Sequence, residues 1–460
     1  MATRKQLVIV LPGIGGSVLA DRAERVVWAL EPGRLLGAGR DPGCLSLAEN
    51  PDLRPMGLVR SLQLMPGWSV IRGYERLVEK LRRLPGAVVA DGPPGTCPDA
   101  NVVLFPYDFR KTVAHNAELL AHEVSQRLAH LGGNAQRRVV VVAHSMGGLV
   151  ARYWLGPLGG HPWCRALVTL GTPHRGAPKA LGMLVNGPPL GLLSAATGVL
   201  REWPGVYELL PTYQAIFDPS ADRAMRPAEL PLPWLSSPAR RAAEVHAAIA
   251  AGWDQIPRGL PEVEPRLGWS HGTPNAAFWQ DGKLRVSKDS PHWLDLTAWK
   301  HDKGDGTVPA FSALPAEMES HSSAFRRERL RHAPLASAGF VAELVESYER
   351  YGSRPLSPIR GDGQISALGL DLDTEHASGD SIDVQISVEG IAEAPSTVTA
   401  VLRAGESVLQ RVRLSAEGGS GYRGVFDPVP PGFYDVQVTA AGLSGADRLT
   451  IDDTIAVVGE

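Results

Sequence analysis

The sequence predicts an α/β fold built on a mainly parallel sheet, followed by a small antiparallel β-sandwich. Over the first 175 residues, short continuous apolar runs, typical of strands buried on both faces, alternate with segments that have apolar residues at helical spacing. Beyond residue 365, short segments alternate apolar and polar residues between Gly, Pro, Asp and Ser turns. Repeated strand–helix units indicate parallel strands covered by helices, whereas closely spaced alternating strands indicate a sandwich.

The strand–helix alternation begins close to the N-terminus. Helical spacing of apolar residues predicts helices over 74–84 and 113–131, the second ending at Gly132. A further amphipathic helix around 340–348 closes this unit, which we expect to form one domain over residues 1–352. Apolar runs predict four strands: Leu7–Leu11, Val102–Phe105, Val139–Ala143 and Ala166–Leu170.

Residues 176–255 interrupt this pattern. The segment is rich in leucine but broken by Pro and Gly, and it is too apolar to be disordered. Long insertions within a compact domain are usually functional when they are not disordered. We therefore expect a lid insertion over the site, at about residues 176–255.

The composition changes after Gly352. Residues 353–364 are rich in Pro, Gly and Arg and are predicted to be a linker. Residues 365–460 are expected to form an Ig-like β-sandwich domain. Its predicted strands are Ile382–Val388, Thr397–Arg403, Ser407–Leu414, Gly421–Phe426 and Tyr434–Thr439.

Composition and charge exclude several classes of protein. The 460 residues carry a net charge of -3 with both signs interspersed, so the chain has no basic stripe for a nucleic-acid backbone. No uncharged stretch reaches the ~20 residues that a transmembrane segment needs. The three cysteines are far apart, which argues against a disulfide framework, and the first apolar run is too short for a signal peptide. The expected localisation is therefore cytoplasmic.

The strongest local signal for chemistry is Val139-Val-Val-Val-Ala-His-Ser-Met-Gly-Gly148. A buried strand leads into a sharp turn at Ser145, and a helix starts directly after it. Such a turn needs small residues on both sides of the serine, because the strand and helix backbones nearly touch; here these are Ala143 and Gly147. The pattern predicts a nucleophilic serine. The alternative is an ordinary strand-to-helix turn with a buried serine.

A serine becomes a good nucleophile when a histidine takes its proton and a carboxylate orients that histidine. With the serine on a strand–turn–helix of this kind, the partners follow in the order acid, then histidine. The predicted acid is Asp305, which lies between two glycines in Lys303-Gly-Asp-Gly-Thr-Val-Pro309. A surface turn is the alternative for this motif, and Asp302 is the nearest substitute.

Two histidines compete for the role of base. His332 follows the predicted last strand, 324–330, whereas His321 precedes it. Active sites lie at the carboxyl ends of parallel strands, so His332 is favoured.

The turn after the first strand, Pro12-Gly-Ile-Gly-Gly-Ser17, is rich in glycine. An oxyanion hole needs two backbone N–H groups, one of which comes from the residue after the nucleophile, here Met146. Ile14 in the glycine-rich turn is the predicted second donor, and spacing alone also allows Gly15.

Motifs occur in a fixed order along the chain: Pro12-Gly-Ile-Gly-Gly-Ser17, Pro106-Tyr-Asp-Phe-Arg110, Ala143-His-Ser-Met-Gly-Gly148, Gly171-Thr-Pro-His-Arg-Gly176 and Gly304-Asp-Gly-Thr-Val-Pro309. Together they resemble the lecithin:cholesterol acyltransferase family, which includes phospholipases and bacterial lipase-like members, over roughly residues 6–350. The resemblance implies an α/β-hydrolase fold, a Ser145–Asp305–His332 triad and acyl-ester substrates.

The chain departs from the family pattern at two places. Phe109 stands where family members usually carry tryptophan, and the lid region from Gly176 onwards resembles the family least. Asp108 and Arg110 are expected to form an ion pair behind the site, with a structural role.

These residues predict hydrolysis or transfer of an acyl ester, of a lipid type, through an acyl-enzyme. They imply no cofactor and no metal. One alternative is a carboxylesterase for soluble, non-lipid esters, and another is a non-enzymatic recognition protein that binds through the β-sandwich. Whether water or an alcohol accepts the acyl group, whether the lid contacts membrane, and the oligomeric state all stay open.

Overall fold

The computed structural model describes most of the chain. The residues outside the description are 1–5, 30–41, 60–73, 133–135, 137, 188–193, 258–259, 290, 297–302, 319–324, 338, 352–366, 374, 390–393, 406, 419, 444–445 and 459–460. The predicted linker 353–364 and two candidate residues, Asp302 and His321, therefore lie outside the described residues.

Fourteen strands precede residue 330 in the described part of the chain. They are β1 (Leu7–Leu11), β2 (Ser17–Ala20), β3 (Val26–Trp28), β4 (Arg54–Leu58), β5 (Val89–Asp91), β6 (Val102–Leu104), β7 (Val139–His144), β8 (Cys164–Leu170), β9 (Ile216–Asp218), β10 (Arg223–Met225), β11 (Glu262–Gly268), β12 (Ala276–Gln280), β13 (Lys283–Ser287) and β14 (Arg326–Glu328).

Seven of these strands form one sheet in the order β14-β11-β8-β7-β1-β6-β5, and every pairing in it is parallel. The carboxyl ends of all seven strands therefore lie along one edge. With helices on both faces this is the α/β-hydrolase fold that the sequence predicts.

The helices are α1 (Glu75–Arg82), α2 (Val113–Leu131), α3 (Met146–Leu155), α4 (Pro178–Asn186), α5 (Ser194–Leu200), α6 (Pro204–Tyr207), α7 (Pro233–Asp254), α8 (His332–Ser337) and α9 (Gly339–Tyr351). Among the described residues, none of them is long and apolar enough to cross a lipid bilayer.

The core has one apolar cluster on each face of the parallel sheet, because successive residues of a strand point to opposite faces. Strand β1 contributes Leu7, Ile9 and Leu11 to one cluster, together with α2 and α3. It contributes Val8 and Val10 to the other, together with α1 and α9.

The segment predicted to be a lid packs into this core. Helices α4, α6 and α7 supply Leu181, Val206 and Leu235 to the same apolar cluster as one face of the parallel sheet. Strands β9 and β10 join the hairpin β12–β13 in a separate sheet, with the order β10-β9-β12-β13. The sheet that begins within the insertion is thus completed by β12 and β13, which lie beyond residue 255.

Two sheets follow at the C-terminal end, with the orders β15-β17-β21-β20 and β16-β23-β22-β18-β19. They enclose an apolar cluster of their own, drawn from residues 368–457. All strands expected from alternation are present, together with β15, β16, β20 and β23, which alternation did not reveal. Their bounds are β15 (Ala367–Asp371), β16 (Glu375–Ala377), β17 (Ile382–Glu389), β18 (Thr397–Ala404), β19 (Ser407–Arg413), β20 (Ser415–Gly418), β21 (Gly421–Phe426), β22 (Gly432–Leu443) and β23 (Ala446–Val458).

Candidate active site

Ser145 lies at the carboxyl end of β7, directly before α3. Its backbone has φ 52° and ψ -124°, a left-handed conformation that is strained for a residue with a side chain. The helix starts so close to β1 that a Cβ on Gly147 would lie 2.5 Å from the carbonyl oxygen of Pro12. The small residue that the sequence places after the serine is therefore a steric requirement.

Asp305 and His332 lie at the same carboxyl edge of the sheet as Ser145, His332 after β14 and Asp305 beside the segment that follows β11. His332 Nε2 is 3.0 Å from Ser145 Oγ, and His332 Nδ1 is 2.7 Å from Asp305 Oδ2. All three side chains are buried. The structure thus brings the predicted serine, acid and histidine into one continuous chain of hydrogen bonds.

The carboxylate of Asp305 is held by its own turn. Its Oδ1 accepts from the amides of Thr307 and Val308, at 2.9 and 2.7 Å, which leaves Oδ2 for the histidine. The backbone amide of His332 also donates to the Asp305 carbonyl oxygen at 2.9 Å. Two hydrogen bonds therefore fix the acid relative to the base, one through side chains and one through the backbone.

Gly171, at the end of β8, makes room for this pair. It has φ 57°, and a Cβ there would lie 2.8 Å from Asp305 Oδ2 and 3.0 Å from His332 Nδ1. Any side chain at this position would press on the contact between acid and base.

The predicted oxyanion turn lies against the serine. A Cβ on Gly13 would be 2.9 Å from the Cβ of Ser145. Within the described residues, the amides of Ile14 and Met146 have no hydrogen-bond acceptor, and neither has that of Gly15. The amides of Ile14, Gly15 and Met146, which flank Gly13 and Ser145 in the chain, are thus available to a ligand.

A second hydrogen-bonded chain, which the sequence patterns did not predict, lies under His332. The amide of Gly13 donates to the Tyr74 hydroxyl at 2.7 Å, and that hydroxyl lies 2.8 Å from His144 Nδ1. His144 Nε2 lies 3.0 Å from the carbonyl oxygen of His332. Because a carbonyl can only accept, His144 Nε2 carries the proton and Tyr74 donates to Nδ1.

The environment of His144 keeps it neutral. Burial, and after it the nearby imidazole of His332, lower the pKa of His144 to about 3. Burial also raises the pKa of the Tyr74 hydroxyl. Tyr74 and His144 are therefore uncharged, and they link the oxyanion turn to the backbone of His332.

Behind the site, Asp108 and Arg110 form the expected ion pair. Their side chains are joined by two contacts, Nε to Oδ1 at 2.9 Å and Nη2 to Oδ2 at 2.8 Å. Arg110 is fully buried, and its remaining nitrogen donates to backbone carbonyls, including that of Asn50 at 2.9 Å. Phe109 packs edge-on against Trp28 and Trp203, so the residue that replaces tryptophan has an aromatic environment.

The described residues contain no group of three or more His, Cys, Asp or Glu side chains that could hold a metal ion. The cysteines Cys44, Cys97 and Cys164 are thiols in the structure.

A family model described as lecithin:cholesterol acyltransferase matches residues 92–229. The predicted resemblance is confirmed over that range, which contains the motifs at 106–110, 143–148 and 171–176. The match supports an acyl-ester hydrolase or acyltransferase. No curated protein matches the chain.

Among solved structures, the chain is similar to the lipase BlEst2 of Bacillus licheniformis. The mature form is 11% identical with a TM-score of 0.37, and the alignment covers 76% of this chain and 93% of that one. The propeptide form is 10% identical with a TM-score of 0.37, and the alignment covers 98% of this chain and 93% of that one.

Proposed function

We propose that the chain is a serine hydrolase that cleaves or transfers acyl esters, with Ser145 as nucleophile, His332 as base and Asp305 as the orienting acid. The observation that carries the proposal is the hydrogen-bonded chain from Ser145 Oγ through the His332 imidazole to Asp305 Oδ2, with links of 3.0 and 2.7 Å. At these distances a histidine can take the serine proton, and a carboxylate can hold the imidazole in the tautomer that this transfer requires.

In the first half of the reaction, Ser145 Oγ attacks the ester carbonyl carbon while His332 Nε2 takes the hydroxyl proton. Asp305 accepts from Nδ1–H and stabilises the imidazolium that forms. The carbonyl oxygen becomes an oxyanion, for which the amides of Ile14 and Met146 are the proposed donors. His332 then gives its proton to the departing alcohol, and the acyl group stays on Ser145.

In the second half, water or another alcohol attacks the acyl-enzyme. His332 Nε2 takes a proton from the attacking oxygen and returns it to Ser145 Oγ as the acyl product leaves. Water yields a carboxylic acid, and an alcohol yields a new ester. The residues of the site serve both outcomes in the same way.

We propose a lipid-type acyl chain for the substrate because α6, in the apolar insertion, contacts the residue that follows the nucleophile. A Cβ on Gly205 in α6 would lie 2.9 Å from the Cε of Met146, the residue after Ser145. In a series of p-nitrophenyl esters, kcat/KM should rise from the acetate to the octanoate. A fall along the series would favour a soluble, short-chain ester instead.

Covalent labelling by a fluorophosphonate tests the proposed nucleophile. Wild type should be labelled, and Ser145→Ala and His332→Ala should lose labelling while remaining folded by circular dichroism. Ser46→Ala is the matched control, since Ser46 is also buried but hydrogen-bonds to Glu202, away from the site. A folded wild type that stays unlabelled even with detergent would contradict the proposal.

A further inference from the structure

The C-terminal unit, defined here as strands β15–β23, contacts the segment that pairs with Asp305 and the residue that precedes His332 at the start of α8. Arg331, the residue before His332, contacts this unit with its side chain. Its Nε lies 2.8 Å from Oδ2 of Asp453 on β23, and the two side chains are 5% and 4% exposed. A buried ion pair therefore joins the C-terminal unit to the residue next to the proposed base.

The same guanidinium also touches the loop of the acid. Nη2 of Arg331 donates to the carbonyl oxygen of Leu372 at 3.2 Å, and a Cβ on Gly306 would lie 2.9 Å from that nitrogen. Gly306 directly follows Asp305. Arg331 is thus enclosed between the acid loop on one side and the C-terminal unit on the other.

A second contact, independent of this pair, is made by β15. The amide of Leu370 donates to His271 Nδ1 at 3.3 Å, and His271 is completely buried. The backbone amide of His271 in turn donates to the Gly304 carbonyl at 3.1 Å, and His271 pairs with Asp305 in an isolated parallel bridge. The first strand of the C-terminal unit therefore lies against the segment that holds the acid.

The alignment and burial of the Arg331–Asp453 pair indicate that it does more than stabilise the fold. Nη1 of Arg331 and Oδ2 of Asp453 have no aligned hydrogen-bond partner in the described part of the chain, so the pair is held by charge. Burial raises the pKa of Asp453 even though Arg331 opposes the shift. Buried pairs of this kind add little net stability because both ions lose water, but breaking one leaves an uncompensated buried charge.

We propose that the Arg331–Asp453 pair is a positioning device through which the C-terminal unit holds His332, at the start of α8, and the loop of Asp305 at their working separation. The unit is then an integral support of the active site rather than an appended recognition module. This inference rests on the proposed function, because it assigns a task to the pair within the proposed reaction.

The test is Asp453→Asn in the full chain, which removes the charge and keeps the shape. We expect kcat for p-nitrophenyl acetate to fall about tenfold with KM unchanged, because only the alignment of the base is affected. The matched control is Asp383→Asn. Asp383 also lies 2.8 Å from an arginine Nε, that of Arg423, but on the surface of the same unit with side chains 38% and 47% exposed. The control should retain wild-type kcat.

A spectroscopic readout separates positioning from general loss of structure. The proton on His332 Nδ1, shared with Asp305, should give a far-downfield NMR signal, assigned by its loss in His332→Gln. We expect Asp453→Asn to shift or broaden this signal, and Asp383→Asn to leave it unchanged.

If Asp453→Asn fails to fold, the double variant Arg331→Met with Asp453→Leu replaces the pair by apolar side chains of similar volume. It should fold and still show the lower kcat and the altered signal. A folded variant with wild-type kcat and an unchanged signal would overturn the inference. An unlabelled wild type in the fluorophosphonate experiment would instead overturn the proposed function, while the NMR comparison would still decide whether the pair positions His332.

Discussion

His332 is supported from two sides that differ in charge. Beneath it, the neutral chain from Tyr74 through His144 ends in a hydrogen bond to the His332 backbone carbonyl. Behind it, the support is the buried ion pair between Arg331 and Asp453. The first support belongs to the parallel sheet and the loops at its carboxyl edge, and the second reaches into a separate pair of sheets.

The difference shows how two kinds of contact suit two tasks. In the neutral chain every donor has one acceptor, so the orientation of His144 is fully specified at little electrostatic cost. The ion pair is less well aligned, and it joins the residue before His332 to β23 of the C-terminal unit. The neutral support defines direction near the chemistry, and the charged support connects the site to the C-terminal unit.

The largest expected effect comes from Gly171→Ala, which disturbs the acid–base contact that both supports serve. The added methyl would lie 2.8 Å from Asp305 Oδ2 and 3.0 Å from His332 Nδ1, so these groups must separate. We expect kcat/KM to fall by ~10² or more, because an imidazole that loses its carboxylate loses its tautomer and orientation. Ester turnover by the purified variant measures this.

Gly159→Ala is the control for backbone strain. Gly159 also has a positive φ, 68°, but among the described residues a methyl there meets nothing within 4 Å. It should cost about 1 kcal/mol of stability and leave kcat/KM unchanged. Equal loss of activity in the two variants would mean that strain, and not contact with the acid–base pair, is responsible.

The next effect in size comes from Tyr74→Phe, which breaks the neutral support. The Gly13 amide and His144 Nδ1 would both lose their partner in a buried place, at a cost of about 1–3 kcal/mol. We expect kcat to fall about tenfold, since the oxyanion turn and the His332 carbonyl are both linked through this hydroxyl.

Tyr107→Phe is the matched control for Tyr74→Phe. The buried Tyr107 hydroxyl donates to the carbonyl of Pro12 at 2.7 Å, in the same turn, and among the described residues it has no hydrogen bond to His144. A similar loss of stability with a smaller loss of kcat is expected, as measured by urea unfolding and ester turnover. Equal losses of kcat would place the effect in the turn alone.

Local sequence patterns predicted the candidate nucleophile and the candidate acid, because each of them lies in a short motif. The strand before Ser145 and the small residue after it follow from local steric needs, and glycines on both sides marked Asp305. The parallel strand β11 was missed because Glu264 and Arg266 interrupt its apolar pattern. In the structure these two pair with each other and Arg266 also pairs with Glu328, so the polar strand is satisfied inside the sheet.

The two supports of His332 left no local signal. Tyr74 fitted the apolar spacing of a helix, and its hydroxyl acquires a role only once α1 packs beside the oxyanion turn. Asp453 sits in β23, where acidic residues break the alternation, and its partner Arg331 is an ordinary charged residue until the C-terminal unit lies against it. The spacing of apolar residues describes one helix or strand at a time. It therefore cannot predict contacts that form only when separate elements pack together.

The smallest expected effect is a pH dependence of the free energy of unfolding that comes from His144, in the neutral support. His144 has an ordinary pKa of 6.5 when unfolded and about 3 when folded, where burial disfavours its charged form. Between these values the unfolded chain binds a proton that the folded chain does not, so the stability due to neutral His144 is present above pH 6.5 and lost as pH falls. At pH 5.5 the loss should be about 1 kcal/mol.

In His144→Gln this part of the pH dependence disappears, because the amide side chain does not titrate. Urea unfolding at pH 7.5 and 5.5 should therefore give a smaller drop in the free energy of unfolding than in wild type. Some acid sensitivity will remain, since burial also lowers the pKa of His174, His246 and His271. Identical drops in the two proteins would mean that folding leaves the pKa of His144 at its ordinary value, so that burial does not hold the support beneath His332 neutral at pH 5.5.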